Sequence, residues 1–541
     1  MSNGSYIDSN TADGLRKTLA DEFSTVYCFN LRGNQRTVGE LSQREGGKIF
    51  GSGSRSTVAI LLLVKNPDVH GDCRIFYRNI GDYLSRESKL DIVARSSLKN
   101  SAWQTIQPNP AGDWVNQRNT AFEAFTPIGS KERGERAADR TIFENYSAGL
   151  KSNRDAWVYN FSHAAVSANV RRMISFYNSQ GNSFDKHCQR HRIADRGDAV
   201  DAFIDLDPTK ISWNRATRND VTKGVRYTYR PGALVPSMYR PFEKTTAYFD
   251  RQLNDMVYQL PRLFPTAELS NLGFYLNGIN EFAEPAVLML GCMPCLDLFG
   301  RGGQFFPRFT YQRSSSTPDL YGEGDRAEHT RLDNVTDGIL ADYHATYSIS
   351  VTKEDIFFYV YGILHSPQYR TNFAADLKRM LPRIPKVRDF RGFADAGRKL
   401  SDLHIGYETV VPYPLQETVS APMGIGETEL YRVERMIFGK GAGKQKDRSR
   451  IVYNSHLTLS GIPEEAYRYM LGSRSAIEWI IDRYRVTTDK ASGIVNDPND
   501  WAIEHDNPRY IVDLLKRIVT VSLETMKIVD NLPEIEIVGA K

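Results

Sequence analysis

The strongest constraint on the fold is a run of nine residues, Thr57-Val58-Ala59-Ile60-Leu61-Leu62-Leu63-Val64-Lys65, that is apolar without a break from Val58 to Val64. Successive side chains of a strand point to opposite faces, so such a run is normally buried on both sides of a sheet flanked by helices. A second apolar run of strand length occupies residues 25–31, and residues 12–23 place Leu15 and Leu19 four apart, the helical spacing. A sheet buried on both faces needs more strands and covering helices than residues 1–68 hold. The sequence therefore predicts the rear part of an α/β domain, with its earlier strands upstream.

No apolar run in the 541 residues approaches the 18 or more that a membrane-crossing helix needs. The start lacks the basic-then-apolar pattern of a secretion signal, which predicts a cytoplasmic protein. Five cysteines, an odd number in a long chain, fit a reducing compartment without a disulfide framework. With 69 basic and 65 acidic residues the net charge is +4, compatible with a nucleic-acid partner without requiring one.

Along the chain, residues 69–260 are mixed and aromatic-rich, with a helical pattern at 162–177. Strand-like stretches follow at 271–277, 286–291 and 304–311, and a polar, turn-rich segment fills 313–331. Helical periodicity then dominates, over 353–365, 372–381, 393–405, 464–471, 475–484 and 508–529.

Three short motifs invite a cofactor reading and fail on context. Phe50-Gly51-Ser52-Gly53-Ser54 resembles a nucleotide-binding turn but precedes a strand rather than a helix. Gly439-Lys440-Gly441-Ala442-Gly443-Lys444 has glycines at the wrong distance for a phosphate loop, and Gln445 replaces the magnesium-binding hydroxyl. Cys292-Met293-Pro294-Cys295 is a lone pair, and His187, Cys188 and His191 have no matching second pair, so a four-ligand zinc site is not predicted.

Basic stretches carry more weight. Residues 210–230, 370–398 and 432–450 are rich in arginine and lysine, with no compensating acidic block. Cations interleaved with aromatics and glycines suit phosphate contacts and base-edge readout.

The sequence also resembles a known family. The order Asn3-Gly4-Ser5-Tyr6-Ile7, Gly14-Leu15-Arg16, Asn30-Leu31-Arg32-Gly33-Asn34 and Lys48-Ile49-Phe50 looks like the second half of a γ-type N6-adenine DNA methyltransferase. A longer likeness is carried by Gly112-Asp113-Trp114, by Ser152 to Asn160, by Tyr239-Arg240-Pro241-Phe242, by Tyr361-Gly362-Ile363-Leu364-His365-Ser366, by Leu381-Pro382-Arg383-Ile384-Pro385 and by Ser492 to Pro498. Over essentially the whole chain these phrases resemble the C-terminal part of Type ISP restriction–modification enzymes, which join nuclease, translocating ATPase, methyltransferase and target recognition in one polypeptide.

The resemblance implies an α/β chain: an incomplete Rossmann-like methyltransferase sheet in residues 1–260, then a mixed α+β target-recognition domain with a helical C-terminal part in 261–541. It implies S-adenosyl-L-methionine, ATP and Mg2+ as cofactors of the intact family enzyme. None is expected to bind this chain alone, because it has no Pro-Pro dipeptide, and so no Asn-Pro-Pro-Tyr motif, and no AdoMet loop. The partner implied is double-stranded DNA. Lys378, Arg379, Arg383, Lys386 and Arg388 are expected to clamp phosphates, with Lys440, Lys444 and Lys446 on a flexible loop. Gln312, Arg313 and Arg326 are expected to read base edges. Asn3 and Tyr6 would flank a methyltransferase pocket completed by a separate chain. Two alternatives stand beside this: a half-enzyme completed in trans by a second polypeptide, and an inactive remnant exposing an apolar sheet edge.

Overall fold

The computed structural model describes residues 1–37, 39–50, 55–130, 140–278, 285–313, 329–441, 443 and 446–539. The architecture is mixed α/β with several small sheets. The first sheet orders its strands Ser2–Asn3, Val58–Val64, Thr25–Arg32, Arg74–Asn79 and Gln104–Ile106. Thr25–Arg32 is central, parallel to Arg74–Asn79 and antiparallel to Val58–Val64. Its side chains alternate between two cores: Val26 and Cys28 join Ile7, Leu19 and Trp114, while Phe29 and Leu31 join Ile49, Val58 and Ile80.

Two-sided burial therefore falls to this strand and not, as expected, to Val58–Val64. On its outer side, among the described residues, the latter pairs only with the strand Ser2–Asn3, opposite Ala59 and Val58. Beyond that stub Leu62 and Val64 are 42% and 38% exposed.

Three further four-stranded sheets follow, with smaller two-stranded ones, and two of the three bear on the domain boundary. One orders Met293–Pro294, Leu234–Arg240, Glu243–Tyr248 and Tyr159–Asn160. The other orders Val287–Leu290, Gly273–Asn277, Gly303–Pro307 and Ser147–Ala148. Each draws strands from both sides of residue 260, and so do the cores, which run from Leu150 to Val521 and from Phe122 to Val529. A boundary at 260 would cut both sheets; the first sheet and its cores form a first body that reaches Trp114 and Val115, and the sheets and cores after it form a second. Local composition could not show this, because these strand pairs are long-range.

The helix Lys353–His365 is apolar on all sides and lies buried against Phe390–Ile405. Glycines permit the crossing: a Cβ on Gly397 would sit 1.9 Å from the Phe358 carbonyl oxygen, and one on Gly362 2.3 Å from that of Phe393.

Arg154 departs from the usual rule for buried charge. It is 4% exposed, and its three guanidinium nitrogens have no hydrogen-bond partner. Burial pushes its pKa down to about 10. A cation without partners costs more to bury than an apolar side chain of similar size. Arg154→Met is therefore expected to leave thermal stability unchanged or raise it, by up to about 3 kcal/mol.

The cysteines are free thiols. His187 and His191 lie one turn apart on the helix His163–His191, with ring centroids 4.5 Å apart. Among the described residues no group of three or more His, Cys, Asp or Glu could hold a metal ion, and no helix is long and apolar enough to cross a membrane.

Candidate nucleic-acid interface

The sheet that shapes the site orders Gln416–Val419, Leu457–Ser460, Lys446–Val452 and Ile437–Lys440. The last two form a hairpin in which Lys440 pairs with Lys446, and a register shift falls between Phe438 and Gly439. Lys440 and Lys446 are exposed at its end. Lys444, expected beside them, lies outside the described residues.

Beside this hairpin opens a cleft of about 1010 Å³. Arg435, Lys446, Arg448, Arg468, Arg474 and Arg485 line it, with Glu464, Glu465, Glu478 and Asp482 between them. Gln43, from the first body, faces them across the cleft. Glu478 and Asp482 act as struts. Arg474 is 2.6 Å from Asp482, Arg448 is 3.7 Å from Glu478, and the Arg448 guanidinium lies over the Tyr467 ring at 4.0 Å. Arg435 and Lys446 sit in no ion pair among the described residues, and both are exposed. Held arginines beside unpaired cations can position and neutralise a polyanion.

The stretch expected to clamp phosphates is dispersed by the fold. Arg379 donates to Asp113 Oδ1 at 2.7 Å and is 8% exposed. Arg383 donates to the carbonyls of Glu123 and Phe125 at 2.8 and 3.2 Å. The Arg379 guanidinium is thus held inside the protein, while that of Arg383 is partly buried on its two carbonyls. Lys386 is held by Asp342 at 2.6 Å, and Arg388, 75% exposed, lies 3.4 Å from Glu536. Lys378 lines a different cavity.

That cavity, about 470 Å³, lies at the carboxyl ends of the parallel strands, where Asn30, Arg32 and Asn79 meet Gly4 and Ser5. In open α/β sheets this end is the usual ligand site. Asn3 spends its side chain capping the turn Gly4–Ile7, accepting from the Ser5 amide at 3.0 Å. Tyr6 turns inward against Cys28 and packs edge-on to Trp114. Gln312 and Arg313 are exposed at the end of the hairpin Phe309–Arg313/His329–Asp333 and do not line the cleft; Arg326 lies outside the described residues.

Sequence reasoning singled out Lys446 as a phosphate contact and marked Arg435 and Arg448 only as members of a basic stretch. It missed Arg468, Arg474, Arg485 and Gln43, which come from separate elements. The available signal was the alternation of charge in Asp482-Arg483-Tyr484-Arg485 close after Arg468 and Arg474.

The basic hairpin thus faces Gln43 across the cleft. The chain belongs to the family described as the Type ISP C-terminal specificity domain, whose model matches residues 141–514. Among solved structures, it is similar to a nuclease-deletion mutant of the Type ISP restriction-modification enzyme LlaGI in complex with a DNA substrate mimic. That likeness has 38% identity and a TM-score of 0.79, over 99% of this chain and 46% of the other. The ATP-dependent Type ISP enzyme LlaBIII bound to DNA matches at 32% identity and a TM-score of 0.78, over 99% of this chain and 32% of its own. A DrdV–DNA complex gives 32% and 0.78, over 99% of this chain and 50% of its own. The chain thus spans between about a third and a half of these proteins. No curated protein matches it.

Proposed function

We propose that this chain recognises a specific sequence in double-stranded DNA, as the specificity portion of a Type ISP restriction–modification enzyme. The observation that carries this is the basic cleft between the Ile437–Lys440/Lys446–Val452 hairpin and the first body. A two-stranded ribbon fits the major groove. Arg435, Lys440 and Lys446 take phosphates in this reading, and the strutted arginines and Gln43 approach base edges. Gln312 and Arg313 extend base readout from their own hairpin. That the three similar structures are DNA complexes supports it.

In the same proposal the first body is the rear of a Rossmann-like N6-adenine methyltransferase sheet. Its residues do not fit AdoMet. The link from 33 to 37 after the central strand holds one glycine, Gly33, and Arg32 is already bound to Asp82 at 2.8 Å and to Asn79 Oδ1 at 2.8 Å. The parent activities, adenine methylation and ATP-dependent cleavage, belong in this proposal to a longer assembly.

The test is selection of purified chain on a randomised duplex library at two salt concentrations. An enriched motif whose affinity falls with salt is expected. Retention without enrichment would remove self-sufficient recognition.

One observation favours a second reading, a half-methyltransferase completed in trans. The outer edge of Ile60 to Val64 has no strand partner among the described residues, and such an edge is a template for another strand. A second polypeptide that restores methylation on mixing would establish it.

A further inference from the structure

Behind the cleft lies a second cavity, of about 270 Å³, between the strand Glu243–Tyr248 and the segment following the helix Ala476–Arg483. The two share a wall, since Asp482 and Arg485 line both. Two side chains on its strand wall are buried beyond the usual tolerance for polar groups. Glu243 is 3% exposed and Thr245 2%, and among the described residues neither Glu243 Oε2 nor Thr245 Oγ1 has a hydrogen-bond partner. Arg483, on the opposite wall, leaves its Nε unpartnered while its terminal nitrogen meets Asp482 at 2.8 Å. Buried polar groups are nearly always satisfied, so a cluster of orphans around one cavity points to a missing polar occupant.

The walls restrict what that occupant is. Tyr159 and Tyr239 line the cavity with ring centroids 4.9 Å apart, and Tyr239 is fixed by donating to Asp155 at 2.9 Å. They offer an aromatic surface to a flat molecule. Burial pushes the Glu243 carboxyl up to about 8, against the pull of Arg483 and Arg240, which favours the neutral acid. A carboxylic acid presents a donor and an acceptor side by side. That pair matches the adjacent donor and acceptor found on an edge of a nucleobase.

We propose that this cavity receives a single unpaired nucleobase, either displaced from a duplex in the adjoining cleft or presented as a free nucleoside. The displaced-base form rests on the DNA-recognition reading above; the nucleoside form does not. Stacking on the tyrosines and hydrogen bonds to Glu243 and Thr245 would hold the base, while Asp482 and Arg485 form the gate shared with the cleft.

The experiment compares three probes on the full chain: a fully paired duplex, the same duplex with a one-nucleotide bulge, and the four deoxynucleosides. The bulged duplex is expected to bind about tenfold more tightly than the paired one, the worth of one stacked base. Thr245→Val and Glu243→Met should each remove most of that preference and leave paired-duplex affinity unchanged, since neither residue lines the cleft. If one variant fails to fold, the other decides. Saturable nucleoside binding without a bulge preference would assign the cavity to free nucleosides. Equal affinity for both duplexes with no nucleoside binding would overturn the proposal, as would a bulge preference that the variants retain. If no duplex binds at all, the DNA reading fails, and the nucleosides alone decide the cavity.

Discussion

Replacing Asp113 with alanine is expected to destabilise the protein by about 3–5 kcal/mol, the cost of leaving buried cations without their counter-ion. Asp113 is fully buried and serves three guanidiniums: Arg118 at 2.9 Å, Arg379 at 2.7 Å and Arg16, itself 1% exposed, at 3.4 Å. Arg16 belongs to the first body and Arg379 to the second, so this carboxylate also couples them. Burial alone would push the Asp113 carboxyl up; hydrogen bonds from Arg118, Asn109 and Arg379 outweigh it and hold the carboxyl well below the usual range. Its contribution is thus complete above the unfolded value, about 3.9, and is lost as pH falls through the lower folded value. Urea unfolding should show the full wild-type-to-variant gap at pH 7 and a narrowing gap below about pH 4. Loss of coupling should also move the unfolding of the first body to lower urea than that of the rest of the chain.

The second large effect concerns binding. Arg435→Ala with Lys446→Ala removes two exposed cations that no ion pair holds among the described residues. Each phosphate contact contributes about 0.9 to the slope of log affinity against log salt, so the slope should fall by roughly 2. Affinity near physiological salt should fall on the order of tenfold to a hundredfold. Arg379→Ala provides the contrast. Its guanidinium lies on Asp113, so it should lower the unfolding midpoint and leave the salt slope of the folded protein unchanged.

Local elements were readable from the sequence where their own residues decide them. The helix expected over 353–365 is found at Lys353–His365, with Thr352 capping it, and the strands at 25–31 and 286–291 are found within a residue. The helix expected at 372–381 is found only over Ala374–Leu377, and Asp376 and Arg379 bond the Asn119 amide and Asp113. The strand expected at 304–311 breaks at Arg308, whose side chain pairs with Asp333, and its halves join different sheets. Net charge along the chain marked three basic stretches but could not tell Arg379, buried on a carboxylate, from Arg435, exposed at a cleft. That difference rests on contacts between residues hundreds of positions apart.

In the proposed complex, DNA lies against the Ile437–Lys440/Lys446–Val452 hairpin, in the cleft that Gln43 closes. Amide hydrogen exchange of the full chain, with and without a saturating duplex, tests that placement most directly. Slowed exchange along 437–452 and around Gln43, weakening as salt is raised, is the expected result. Bound duplex with unchanged exchange in those segments would contradict it.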